Sequence, residues 1–408
     1  MLSMNEALVR VLEQARALRA VDCDLESALG LTLAQDVVAD ADQPPFDKAL
    51  VDGYAVRSVD LVRPPFRLEL GETILAGQIP QRPLGDREAA TITTGAPLPP
   101  GADAVIMHER TRLIGDAIEI EEHEIKPGLN RLPQGKVYRA DDRLIPSGTR
   151  LTPATLGVLA AVGAASVRVI PRPRVAIIPT GDELVDFRQP PGPGRIRNSN
   201  AVMLRGFVDG LTSETWTSPI LGDEPEALKE GLRPALDFDV VLVMGGVSAG
   251  QKDLVPHTLE ALNVRPIFHK IRIKPGKPLW FGVGSPRGDR PAPLVFGLPG
   301  NPLSVLVNFL VFVRPVLHAL AGAAAAADDR IEVRLASSVS HRDTLTTHLP
   351  ARILRGSRQP GEPLRVEALD WSGSADLLSA AVADGFLILP EAKETYEAGE
   401  IVGFLPLR

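Results

Sequence analysis

Apolar positions along the chain change rhythm several times, and each change marks a different architecture. Near the N-terminus Leu8, Leu12, Ala15 and Leu18 recur at close to helical spacing, and "LESALGLTLAQDVVA" continues the pattern, so the first 40 or so residues read as helical. "DQPPFDKALVDGYAV" breaks it with two prolines and a glycine. From Pro65 to about Arg139, segments such as "FRLELGETILAG" and "AIEIEEHEI" alternate and turn repeatedly, which predicts short strands. "SGTRLTPATLGVLAAVGAASVRVI" returns to a helical pattern that is expected to pack back on the N-terminal helices. From Arg174 strands and helices alternate. "RVAIIPTGDEL", "ETWTSPI", "DVVLVMGG" and "APLVFGLPGNP" read as strands, and "SNAVMLRGFVDGL", "EPEALKEGLRPAL", "LVPHTLEAL" and "LSVLVNFLVFV" as helices. That alternation predicts a mostly parallel sheet with helices on both faces. The Ala-rich "LAGAAAAADD" marks a boundary, after which "RIEVRLASSVS", "THLPARILRG", "PLRVEALD" and "GFLILPE" predict a small all-β domain.

Three strands of the α/β region run into small polar loops: "PTGDEL", "MGGVSAGQKD" and "GLPGNP". In open parallel sheets the strand C-termini gather on one edge and ligands bind there. Glycines such as Gly245, Gly246 and Gly300 let backbone N–H groups approach an anion, and a following helix N-terminus adds partial positive charge. Asn301 is placed to cap the next helix and Pro302 fits its first position, so this end reads as a phosphate cradle. In "HKIRIKPGKPLWFG", Lys270, Arg272 and Lys274 alternate on an expected strand and face one side, and Lys277 follows a Pro-Gly turn. A basic row beside glycine-rich strand ends suits an anion carrying several charges. Asp182, Glu183, Asp223, Asp253 and Asp52 lie in or near loops, and carboxylates around a phosphate site suggest Mg²⁺.

Other chemistries fit less well. No G-x-x-x-x-G-K-[ST], no strand-borne G-x-G-x-x-G and no HExxH occurs. Ser248 in "GVSAG" matches G-x-S-x-G formally, and His257, His269 and His318 follow it, so a hydrolase is an alternative. The basic row has no purpose in most such enzymes.

Length and composition narrow the picture further. A chain of 408 residues is long enough for two to four domains at roughly 150 residues each. A net charge of −7 argues against a general nucleic-acid binder. The single Cys23 precludes an intramolecular disulfide and a multi-cysteine metal site. The N-terminus lacks a signal-like apolar segment, and the longest apolar run, Leu303–Val313, is shorter than the roughly 20 residues that span a bilayer. A cytoplasmic location without membrane partners is expected.

"PPFDKALVDGYAV", "TTGAPLPPGADAVIMHE", "PTGDEL", "GGVSAGQKD", "IKPGKPLWFG" and "GLPGNPLS", in this order, resemble the molybdopterin molybdotransferases, the MoeA and gephyrin E-domain family. The resemblance spans nearly the whole chain. It implies a discontinuous helical domain (1–43 and 140–172), a β-rich domain (44–139), a molybdopterin-binding three-layer α/β domain (173–323) and a C-terminal β-barrel-like domain (329–408). It also implies head-to-tail homodimers, with the site between one subunit's α/β domain and the other's β-rich domain. The implied reaction inserts molybdenum from molybdate into adenylylated molybdopterin with Mg²⁺, releasing AMP and forming molybdenum cofactor.

Matched motif by motif, the resemblance gives Asp52, Thr94, Glu183, Asp253, Lys270 and Lys274 catalytic roles. Gly245, Gly246, Ser248, Lys277, Gly300, Asn301 and Ser374 would bind the pterin substrate, and Glu183, Asp223 and Asp253 the metal. The chain departs from the family at Val51, where Met is usual, and in "NRLPQGKV", where Arg131 stands one position early, Leu132 replaces an arginine and Lys136 an acid. A molybdopterin adenylyltransferase is both a competing reading, disfavoured by "GGVSAG", and a candidate partner. A non-catalytic assembly scaffold is the alternative from another class.

Overall fold

A computed structural model describes the chain except residues 62, 63, 65, 122–124, 248–253, 289, 324–329, 342, 343, 355–360, 392 and 408. Ser248 and Asp253, both expected site residues, and most of the Ala-rich boundary lie outside the described residues.

The α/β region forms a six-stranded sheet in the order Glu214–Thr217, Arg174–Pro179, Val240–Met244, Leu294–Leu298, Trp280–Val283 and Arg265–His269. The first four strands are parallel, and Trp280–Val283 runs antiparallel to both its neighbours. Val240–Met244 and Leu294–Leu298 are buried throughout, which is why they are continuous apolar runs rather than alternating ones. One face packs Val175, Ile177, Leu242 and Phe296 against helix Asn200–Val208 and the long helix that begins at Pro302. The other packs Ala176, Ile178, Val241 and Val295 against Pro225–Ala235 and Leu254–Ala261. The helix expected from "LSVLVNFLVFV" extends over Pro302–Leu320, long and apolar enough to cross a membrane, but 83% of its most apolar window is buried in the core.

The N-terminal region departs from the expectation. Met4–Leu12 is helical, with a reciprocal cap between Ser3 and Glu6. Its buried face, Met4, Ala7 and Val11, packs into the α/β core rather than against 140–172. Leu2–Ser3 pairs in parallel with Ile271–Lys274. "LESALGLTLAQDVVA" is not a helix: it holds one 3₁₀ turn, Leu25–Ser27, and the strands Thr32–Leu33 and Val37–Val38. Gly30 at φ 75° breaks the helical run, and strand pairing across the sequence gap overrides its near-helical apolar spacing. The later "GAASVRVI" is likewise strand, Ser166–Ile170, set between Val21–Asp24 and Thr32–Leu33. Only Pro153–Ala161 is helical there. Leu33, Ile145, Leu159, Val167 and Val169 share one small core, so the two halves of this unit do join across the sequence.

Between them, Gly53–Val56, Phe66–Ile74, Glu88–Ile92, Ala104–Met107, Thr111–Ile114 and Ala117–Ile120 form the expected β-rich unit, one six-stranded sheet. At the C-terminus, Thr346–Ile353, Leu364–Ala368, Ile331–Leu335, Ile401–Pro406 and Gly385–Leu389 pair in turn, and Thr346–Ile353 pairs again with Gly385–Leu389. That last pairing closes a five-stranded barrel, leaving those strands no open edge.

Candidate functional site

The three expected loops meet at one sheet edge, because Arg174–Pro179, Val240–Met244 and Leu294–Leu298 are adjacent and parallel. Thr180 N and Oγ1 both donate to Met244 O, at 2.9 and 3.0 Å, and Gly245 N donates to Leu298 O at 3.0 Å. These bonds lock the loops to one another. Gly245 has φ 95°, and a Cβ there would lie 2.6 Å from Thr180 O. Gly246 has φ 63°, with Val255 Cγ2 only 2.8 Å from a Cβ position. Both glycines are therefore dictated by backbone conformation and close approach.

Beside this turn lies a crevice of about 180 Å³ whose lining includes Thr180, Glu183, Arg197, Asn200, Gly300 and Asn301. A Cβ on Gly300 would meet no atom within 4 Å, so the third loop presents bare backbone to open space. Asn200 Nδ2 donates to Gly300 O at 2.7 Å, while Asn200 Oδ1 is buried without a hydrogen-bond partner. Of the segment from Arg197 to Asn200, only Ser199 and Asn200 were read from the sequence, as the start of a helix. Its "RNSN" run, three cap-forming residues in a row, is the signal that marks it as a wall of the crevice.

Asn301 occupies the N-cap position of helix Pro302–Asn308, with Pro302 in the first turn, but its side chain makes no capping bond. Nδ2 instead donates to Ser374 Oγ at 2.8 Å, and Leu303 N donates to Ser374 O at 3.0 Å. The C-terminal domain thus supplies the cap expected from Asn301, and one N–H of the expected phosphate cradle is already occupied. Ser374 is held by its own loop. Asp376 accepts from Ser372 N at 2.9 Å and Ser379 N at 3.1 Å, and these bonds keep its carboxyl below the usual carboxylate range.

The basic row differs from its expected form. Only Arg272 and Lys274 lie on strand Ile271–Lys274, and that strand belongs to the sheet of the C-terminal domain. Lys270 sits before it with φ 70°, at the point where the chain leaves the α/β sheet, so the three cations do not form a single period-two row. Arg272 pairs with Glu391 at 2.6 Å. Lys270 and Lys277 are nevertheless brought together, because Lys270 N donates to Leu279 O at 2.8 Å and Ile271 N to Lys277 O at 3.0 Å. His269 joins this turn to the second glycine loop: its Nε2 donates to Val247 O at 2.8 Å.

Asp182 Oδ1 accepts from Asp223 N at 3.2 Å, which places Asp223 beside the first glycine loop, and Glu183 lines the crevice. Among the described residues no group of three His, Cys, Asp or Glu side chains is placed to hold a metal. Glu183 and Asp223 remain as single carboxylates, the donor chemistry of an ion that completes its shell with substrate oxygens and water.

Asp52 and Thr94 form a separate, exposed pair in the β-rich sheet. Thr94 N and Oγ1 donate to Asp52 Oδ1 at 2.6 and 2.8 Å, and these bonds, with a smaller contribution from His108, hold the Asp52 carboxyl below its ordinary value. Neither residue lines the crevice. Arg131 is committed to Asp47 at 2.7 Å in the same unit.

Comparison with known proteins covers every domain. Residues 2–163 match the MoeA N-terminal region (domain I and II), 176–319 a probable molybdopterin binding domain, and 332–407 the MoeA C-terminal region (domain IV). A molybdopterin molybdenumtransferase of Staphylococcus aureus is 30% identical, with 98% of this chain and 94% of that protein aligned. One from a Nostoc species is 39% identical over 74% of this chain and 69% of its own length. Among solved structures, a molybdopterin biosynthesis MoeA protein from Pyrococcus horikosii superimposes with a TM-score of 0.83 at 32% identity, covering 100% of this chain and 99% of that one.

Proposed function

The chain belongs to the molybdopterin molybdenumtransferase family, a transferase of molybdenum cofactor biosynthesis, and from that premise we propose how its own residues carry the reaction. The substrate is adenylylated molybdopterin, lying across the crevice at the strand ends. Molybdate takes the two dithiolene sulfurs as ligands while a displaced oxo group leaves with their protons as water, and a water oxygen attacks the phosphoanhydride so that AMP leaves. The observation that carries this reading is the meeting of three glycine loops at one parallel-sheet edge, tied through His269 to the segment that bears Lys270 and, paired back on it, Lys277; Lys274 ends the adjoining strand. The bare backbone at Gly300 and at Gly246 receives phosphate and pterin oxygens, while Gly245, whose N–H is already given to Leu298 O, fixes the turn. Lys270, Lys274 and Lys277 meet the oxyanion and the charge that develops on the departing phosphate. Ser374, fastened to Asn301, lets the C-terminal domain close one side.

Mg²⁺, held by Glu183 and Asp223 together with Asp253, would neutralise phosphate charge during cleavage. Asp52 and Thr94 are exposed and lie apart from the crevice of their own chain, which favours their acting on the crevice of a second copy in a homodimer. A cytoplasmic setting suits these substrates.

The test is AMP release from adenylylated molybdopterin with Mg²⁺, followed with and without molybdate and, in parallel, tungstate. Molybdate-dependent release is the expected result. Tight pterin binding with no release under either oxyanion would instead favour a non-catalytic assembly scaffold.

A further inference from the structure

Helix Pro302–Leu320 walls the α/β core, and within its apolar run Leu303–Val313 there is a single amide, Asn308. Asn308 is 0% exposed, and Val305, Leu306, Val307, Phe309 and Leu310 around it are buried as well. Its Nδ2 donates to Gly276 O at 3.1 Å, while its Oδ1 is buried with no hydrogen-bond partner. An amide left half-satisfied in an apolar wall is worse for stability than a leucine of the same shape. Packing alone does not explain why it is there.

Gly276 completes the contact. It has φ 113°, and a Cβ there would lie 2.8 Å from Asn308 Oδ1 and 2.9 Å from Nδ2, so the amide fills the space a side chain would take. Gly276 O also accepts from Leu279 N at 3.2 Å, and Lys277 O from Ile271 N at 3.0 Å. Lys274 and Lys277 therefore flank a turn whose inner face rests on one buried side chain. Asn308 is also the last α-helical residue before the π-helical segment Phe309–Val313, an irregularity frequent where a helix serves a site.

We propose that Asn308 is a positioning residue for the oxyanion substrate: by holding the Pro275–Gly276 turn it sets where Lys274 and Lys277 meet molybdate. The chemistry rests on the molybdate-insertion reading; the anchoring itself does not.

Asn308→Leu keeps the shape and removes the donor. In the full-length protein the melting temperature should stay equal or rise. The KM for molybdate in AMP release should rise about tenfold, as expected when charged groups are displaced by a fraction of an ångström, with kcat little changed. With lysines carrying ¹³C-methyl labels and assigned by Lys→Arg variants, the Lys274 and Lys277 resonances should move, and those of Lys229 and Lys393 should not. A folded Asn308→Leu whose lysine resonances stay in place overturns the proposal. So does a parallel fall in melting temperature and kcat at unchanged KM. Should Asn308→Leu fail to fold, Asn308→Ala removes the same donor without adding bulk, and the same resonances decide. If the wild-type protein releases no AMP in response to molybdate, the insertion reading fails, while the labelled lysines still report whether Asn308 anchors the turn.

Discussion

Two glycine turns of the chain, linked through His269 and the Lys270–Leu279 pairing, are held in different ways. At Gly245 the constraint is backbone against backbone: the position of a Cβ is 2.6 Å from Thr180 O, and Thr180 is itself fixed to Met244 by two hydrogen bonds. At Gly276 the obstructing atoms belong to a side chain, Asn308, that comes from a helix of another layer. The first turn is an inherent part of the parallel sheet and needs little beyond its own strands. The second turn lies where the chain returns from the C-terminal sheet to the α/β sheet, and its position depends on a residue more than 30 positions away. A rigid cradle made of main chain and a cationic turn set by a side chain give different responses to mutation.

The largest effect is expected at the first turn. Gly245→Ala sets a Cβ against a carbonyl at φ 95°, and should lower stability by about 3 kcal/mol, measured by denaturant unfolding. Gly276→Ala should lower it by less, about 1–2 kcal/mol, since Asn308 is a side chain able to give way. If the two variants unfold alike, the distinction between the turns is lost. Next comes Lys277→Gln. Lys277 is exposed, so stability should change within about 0.5 kcal/mol, while oxyanion-dependent AMP release should fall roughly a hundredfold.

Gly300→Ala sharpens the contrast from the other direction. No atom lies within 4 Å of its Cβ position and its φ is not in the left-handed range, so folding should be unaffected within about 0.5 kcal/mol. The methyl group would enter the space assigned to substrate, and the KM for adenylylated molybdopterin should rise severalfold. An unchanged KM would place the substrate elsewhere.

The smallest effect concerns pH. Asp376 has its carboxyl lowered by the Ser372 and Ser379 amides, so its contribution is complete above the ordinary value of 3.8 and is lost as pH falls through the lower folded value. Hydrogen exchange at the Ser372 and Ser379 amides should accelerate only below that ordinary carboxylate range, and this acid step should be absent in Asp376→Ala.

The α/β region was the most legible part of the sequence because its rules are local. Continuous apolar strands, a glycine at each exit and Pro225 or Pro302 in a first helical turn each state their structure within ten residues. The same locality misled at residues 25–39. Leu25, Ala28 and Leu33 fall near helical spacing, yet Leu25 opens a 3₁₀ turn that ends before Ala28 and Leu33 is strand, because their partner, Ser166–Ile170, arrives more than 130 residues later. Lys270 reads as one of a row for a similar reason: alternation shows that residues share a face only while a strand continues, and φ 70° ends it there. The Asn301–Ser374 and Asn308–Gly276 bonds join segments that periodicity cannot connect, and only the motif likeness at Ser374 hinted at the first of them.

The most direct test of the account is where the oxyanion binds. Crystals of the protein soaked in tungstate, with diffraction recorded at the tungsten edge, give that position independently of activity. The expected result is an anomalous peak at the Lys274–Lys277 turn, and its loss in Lys277→Gln. A fully occupied peak on another face of the molecule, with this turn empty, would contradict it.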